Sequence, residues 1–156
     1  MLESLYKFID NNETTENIYI LGTASLVYQG LIKKEIYDID ILVHDGENFY
    51  KKRDNVDPVI WEITFLSEKW KERVIFFEEY KGIKIYGLCL EDIIVNKISG
   101  YPCDKHKTSI KELLDICDKE KFNKYYGEAK QRGYSILRDS FFKENVMMFE
   151  KDFNIQ

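Results

Sequence analysis

Two prolines, three cysteines and two histidines are all this 156-residue chain holds of those residue types. Cys89, Cys103 and Cys117 are widely spaced and odd in number. They cannot build a disulfide framework, and they fit free thiols in a reducing cytoplasm. Cys103 and His106 stand at C-x-x-H spacing, but the further ligands that structural zinc needs are missing. No apolar run approaches the ~20 residues of a membrane-spanning helix, so no membrane partner is expected. The opening residues, M-L-E-S-L-Y-K-F-I-D, have neither a basic region nor a long apolar stretch, so no signal peptide is expected. Basic charge is also short: 23 Lys and Arg face 28 Asp and Glu, for a net charge of −5. Non-specific nucleic-acid affinity comes from Lys and Arg, so long stretches of DNA or RNA are poor partners. A small basic patch can still hold a nucleotide or a tRNA end. There is no internal repeat and no low-complexity tract. What remains is 44% hydrophobic and 33% charged, enough for one ordinary domain, or for one domain with a helical appendage.

The chain is organised around residues 18–43. A short apolar run, Ile18–Leu21, is broken by Gly22. A helix-compatible segment follows over 23–32, with Ala24, Val27, Tyr28 and Leu31 as its buried face. A second apolar run, 36–43, carries Asp38 and Asp40. Side chains alternate along a strand, so these two carboxylates share a face while Ile39 and Ile41 take the other. Like charges so close repel, and a cation between them removes the cost. Mg2+ takes oxygen ligands and is commonly held by one or two carboxylates plus substrate phosphates. Gly22, at the strand-to-helix turn, lets a phosphate approach the backbone. A phosphate seat followed by a carboxylate pair points to phosphoryl or nucleotidyl transfer.

Other elements read from the pattern. Residues 2–10 place Leu2, Leu5, Tyr6 and Ile9 at helical spacing. A brief helix is expected over 47–54. Asp57-Pro58 reads as a break, because the residue before proline avoids the helical region. A strand is expected over 59–66, a helix over 67–80, a turn at Lys81-Gly82 and a strand over 83–88. From Leu90 the pattern is helical: Leu90, Ile93, Ile94 and Ile98 repeat on one face. Ser109 and Glu112 form a capping-box pattern. Two more helices are expected over 120–131 and 134–151. The class is α+β: a mixed sheet with flanking helices over 1–88, then a helical part over 89–156.

These residues resemble a known family. The nucleotidyltransferase superfamily (DNA polymerase β-like) has a strand, a Gly-Ser or Gly-Gly turn, a helix, and a strand bearing Asp-x-Asp. Here G-T-A-S-L and then D-I-D follow that order. A closer likeness is to minimal AbiEii-type nucleotidyltransferases of bacteria and phages, some of them toxins, whose later helix reads L-E-D-L-I-x-x-K. Leu90-Glu91-Asp92-Ile93-Ile94 and Lys97 stand there in this chain. The likeness covers roughly residues 18–118.

The resemblance implies roles position by position. Gly22 and Thr23 look like the turn that grips a nucleoside triphosphate. Asp38 and Asp40 look like ligands of Mg2+. Glu62, on the next expected strand and facing away from its apolar side, is the candidate third carboxylate. Lys97 resembles a lysine that reaches phosphate. Lys97, Lys105, His106 and Lys107 form the densest basic cluster of the chain and are expected to border the same cleft. The implied protein is a cytoplasmic, Mg2+-dependent nucleotidyltransferase acting on a hydroxyl of a tRNA, a protein or a small molecule. A toxin of this kind would have a cognate antitoxin. There are departures: Thr23 replaces Gly or Ser, and Lys107-Thr108 replaces a Lys-Asp pair. They feed the alternative of a catalytically degenerate relative that serves as a binding or regulatory partner.

Overall fold

The computed structural model describes residues 2–12, 16–44, 54–101, 103–136 and 140–155. The chain divides into two compact units, one of residues 1–62 and 72–89, the other of 63–71 and 90–156. Among the described residues there are five strands in one mixed sheet and six α-helices, so the class is α+β.

The first unit holds α1 (Glu3–Asn12), β1 (Ile18–Leu21), α2 (Gly22–Tyr28), β2 (Ile39–Val43), β3 (Val56–Ile60), β4 (Ile75–Tyr80) and β5 (Ile83–Gly87). The strand order is β3-β2-β1-β5-β4. The β1–β2 and β4–β5 pairs are antiparallel; β1–β5 and β2–β3 are parallel. One face carries Ile18, Ile20, Ile39, Ile41, Val56, Ile83 and Ile85, all buried under Leu2 just before α1, Leu5, Phe8 and Ile9 of α1, and Ala24 of α2. The period of two in these strands then sends Tyr19, Asp40, Asp57 and Tyr86 to the other face.

α2 ends at Tyr28, short of the expected 32. Gly30 takes φ +73°, and the amides of Gly30 and Leu31 return to the carbonyls of Val27 and Leu26. That is a Schellman closure, which needs a residue in the left-handed region. Inside α2, Ser25 is buried and donates its hydroxyl to the Leu88 carbonyl at 2.9 Å. Across from it Gly87 has no room for a side chain: a Cβ there would overlap the Phe77 ring and Ser25 Oγ.

Three sequence expectations are corrected here. Asp57-Pro58 is no break but the middle of β3, which pairs only with β2. At a sheet edge proline's missing N–H has no partner to lose. The expected strand over 59–66 therefore stops at Ile60 and turns into a 3-10 helix at Trp61–Ile63. The expected helix over 67–80 is instead a 3-10 turn, Trp70–Arg73, and then β4. Lys81 and Gly82, at φ +49° and +81°, make a two-residue hairpin turn whose twist suits antiparallel strands, and this pairs β4 with β5. The expected helix over 47–54 lies almost wholly outside the described residues.

The second unit holds α3 (Leu90–Ile98), α4 (Asp104–Ile116), α5 (Lys119–Ile136) and α6 (Ser140–Asp152). α4 starts at Asp104, so Ser109 and Glu112 sit inside it rather than capping it. α5 runs through the gap expected near 132, because Gly133 is accommodated against the Phe65 ring. Ile93, Ile94, Ile98, Tyr101, Ile110, Phe122, Tyr126 and Phe149 are buried. Tyr126 meets Phe149 edge-on at 5.7 Å, and Phe149 meets Tyr101 at 6.1 Å. The hydroxyl of Tyr101 donates to Asp152, and burial pushes its pKa up to about 12. The 63–71 segment belongs to this unit: Arg132 Nη1 donates to the Thr64 carbonyl at 2.7 Å, and Ser67 donates to Glu128 at 2.6 Å. Among the described residues no helix is long and apolar enough to cross a membrane, and Cys89, Cys103 and Cys117 are not joined in disulfides.

Candidate functional site

Gly22 closes β1 at φ +69°, a conformation that L side chains rarely adopt. Its neighbour Leu21 is in register with Asp40 on β2. A Cβ at Gly22 would stand 3.7 Å from Asp40 Oδ2. The turn therefore exposes bare backbone directly beside a carboxylate. Thr23 follows at the start of α2, half-buried.

Asp40 is half-buried and Asp38 exposed. β2 begins at Ile39, so Asp38 sits one residue ahead of the strand rather than inside it. A further carboxylate, which the sequence reading did not single out, stands beside Asp40. Asp57 of β3 is in parallel register with Asp40. In-register residues of adjacent strands share a face and lie about 4.8 Å apart. Ile39 and Val56, in the preceding register pair, are both buried in the core. Asp40 and Asp57 thus point together to the opposite face. The signal in the sequence was the apolar–acid–apolar step Val56-Asp57-Pro58, masked by the reading of proline as a break.

Among the described residues, no three His, Cys, Asp or Glu side chains converge closely enough to enclose a metal ion alone. Mg2+ does not require that. It is held by one or two carboxylates, with waters and substrate phosphates completing its shell. The hard oxygens of Asp38, Asp40 and Asp57 fit that donor set.

A family model described as a nucleotidyltransferase of unknown function, DUF6036, matches residues 1–154. The chain belongs to this family. Searches of curated proteins and of solved structures returned no match. Membership in this family supports a nucleotidyl-transfer role for the chain.

The other expected residues belong to other elements. Glu62 sits in the 3-10 turn after β3, and its Oε1 is 2.9 Å from His44 Nδ1. His44 follows β2, four residues beyond Asp40, or about 13 Å at a strand's rise. The same Nδ1 lies 2.6 Å from Trp61 Nε1. It can accept from the indole or, when protonated, donate to Glu62, but not both. Lys97, half-buried, belongs to α3 of the second unit. Lys97 and Lys105 both act on His106, whose pKa is lowered first by burial and then by these two charges. Lys107 Nζ is 3.6 Å from Asp152, tying α4 to α6. Lys97, Lys105, His106 and Lys107 thus all belong to the helical unit, on α3 and α4.

Proposed function

We propose that the protein is a Mg2+-dependent nucleotidyltransferase whose centre is Gly22, Thr23, Asp38, Asp40 and Asp57. The observation that carries this reading is the register of Asp57 with Asp40, next to the bare backbone of Gly22. Asp38 and Asp40 would hold the metal, with Asp57 in place of Glu62 as third carboxylate. Mg2+, when bound, would supply charge neutralisation at the phosphates and lower the pKa of a bound hydroxyl. The residues do the rest. The Gly22 turn admits the triphosphate close to the backbone, and the Thr23 hydroxyl offers it a donor. Asp57 takes the proton of the acceptor hydroxyl. The hydroxyl oxygen bonds to the α-phosphorus, the bond from that phosphorus to the bridging oxygen breaks, and pyrophosphate leaves. Most of the acceleration would come from positioning and charge stabilisation. Kinship to AbiEii-type enzymes, with a toxin role and an antitoxin partner, is the narrower form of this proposal and rests on the L-E-D-I-I block and Lys97.

The test is pyrophosphate release from nucleoside triphosphates with Mg2+ and a panel of hydroxyl acceptors. Asp40→Asn and Asp57→Asn should each lower turnover by at least about 100-fold, for Asp57 the lower end of the general-base range. Glu62→Gln should leave it within a few fold. Nucleotide binding without pyrophosphate release, across the panel, would favour the non-catalytic alternative. A silent Asp57→Asn with a dead Glu62→Gln would return the third-carboxylate role to Glu62.

A further inference from the structure

The face of the sheet that carries Asp40 and Asp57 also carries a row of aromatic rings. Phe76 of β4 is in register with Tyr86 of β5, and Tyr86 with Tyr19 of β1. Tyr19 and Tyr86 stack at 5.5 Å with planes 14° apart. Phe76 meets Tyr86 edge-on at 5.7 Å. The row crosses three adjacent strands, from the sheet edge inward to β1. Tyr19 lies two residues, about 7 Å of strand, from Leu21, which is in register with Asp40. Exposure rises outward: Tyr19 and Tyr86 are half-buried and Phe76 is 55% exposed at the edge strand.

We infer that this row seats the last bases of a short single-stranded nucleic acid, delivering its terminal hydroxyl to the carboxylates as acceptor. The inference rests on the nucleotidyl-transfer reading. Aromatic side chains on a sheet surface stack unpaired bases with little regard to sequence. The charge on this face limits the length bound. Asp40 and Asp57 lie on it, and the charge of Lys84 is offset by Glu79, its register partner. Phosphates therefore find little attraction beyond the metal site, and stacking carries the affinity. A protein strand adding to the β4 edge is disfavoured, because that edge has a register shift between Phe76 and Glu78 and an exposed Glu79. Bulges and edge charges are what blunt such pairing.

The experiment titrates a short labelled single-stranded RNA into the full chain with Mg2+ and no nucleoside triphosphate, followed by fluorescence anisotropy. Phe76→Ala and Tyr86→Leu should each raise Kd by about 5- to 150-fold, the loss of one stacked base. Tyr86→Phe, which keeps the ring, should bind like the wild type, and thermal midpoints show whether each variant is folded. The slope of log K against log salt should be no steeper than about −0.7, one phosphate's worth for a single strand. No RNA binding by the wild type, ring variants that bind equally well, a steep salt slope, or ring-dependent binding of peptides alone would each overturn the inference. Failure of the two readings is distinguishable. Pyrophosphate release with some other acceptor, without RNA binding, removes the ring row alone. Ring-dependent RNA binding without pyrophosphate release from any acceptor removes the enzyme and leaves the RNA seat.

Discussion

Two glycines of the first unit provide a matched test of the phosphate seat. Gly22 and Gly30 take nearly the same left-handed conformation, φ +69° and +73°. Alanine in that region costs about 1–2 kcal/mol, and its stiffer unfolded chain returns about 0.4–1 kcal/mol. Each Gly→Ala change should then lose about 1 kcal/mol of stability, or about 2–4 °C in Tm for a chain of this size. Sterics add little in either case. A Cβ at Gly30 meets nothing within 4 Å, and one at Gly22 meets only Asp40 Oδ2, at 3.7 Å, an ordinary contact. The two differ in where the methyl lies. At Gly22 it fills the space between backbone and carboxylate through which, on the proposed reading, a phosphate would come. Losing a charge-assisted bond from the backbone there costs about 1.5–3 kcal/mol, or about 10- to 150-fold in nucleotide Kd. Titration of a nucleoside triphosphate with Mg2+ at fixed salt reads this, beside thermal unfolding of both variants. Gly30→Ala should bind as the wild type does and Gly22→Ala should not. If the two bind nucleotide alike while losing similar stability, Gly22 is a turn glycine only and the phosphate seat lies elsewhere.

Two further predictions concern stability. Gly87→Ala should cost about 1–3 kcal/mol, the range for overpacking, because its methyl must displace the Phe77 ring and the Ser25 hydroxyl that holds Leu88; a urea midpoint unchanged from wild type would refute the close packing of α2 on β5. His106 is held below its ordinary pKa of 6.5 by burial, with Lys97 and Lys105 adding repulsion. The unfolded ring therefore takes its proton first, so the contribution of neutral His106 is intact above about pH 6.5 and falls as the pH drops towards the folded pKa. His106→Gln should flatten the decline in urea midpoint between about pH 7 and about pH 5, and parallel curves for the two proteins would refute the assignment.

The parts of the fold that were legible share a local cause. Ile18–Leu21, Gly22 and the Leu90–Ile98 helix each declare themselves by period, by a break, or by both. The segment 67–80 did not. Ser67, Glu68 and the spacing of Trp70 and Val74 imitate a capped helix. What decides it is tertiary. Ser67 accepts from the Lys69 amide but also donates to Glu128, and Lys81-Gly82 folds Ile75–Tyr80 back onto β5. Neither partner lies inside the window that a helix reading considers. The two-unit division shows the same limit. The change to helical pattern near Leu90 is visible in sequence, but the membership of 63–71 in the helical unit depends on Arg132, which is 68 residues from Thr64.

The site shows how one local rule can hide a residue that a non-local fact reveals. Proline reads as a punctuator in the sequence, which sets Asp57 in a break and leaves Glu62 as the next candidate carboxylate. The rule fails at an edge strand, where a missing N–H faces no neighbour, and edge position cannot be known before the sheet order is. Once β3 is placed outside β2, the parallel register alone sets Asp57 against Asp40, with no freedom for a one-residue slip. A slip would turn Val56 out of the core and an aspartate into it. The hydrophobic pattern that builds the core is therefore also what aligns the carboxylates. Val56 is fully buried opposite Ile39, and that apolar pair locks the register one step away from the acids. Positioning of the proposed metal ligands is in this sense inherited from core packing, which is why the choice between Asp57 and Glu62 is a question about strand register before it is one about chemistry.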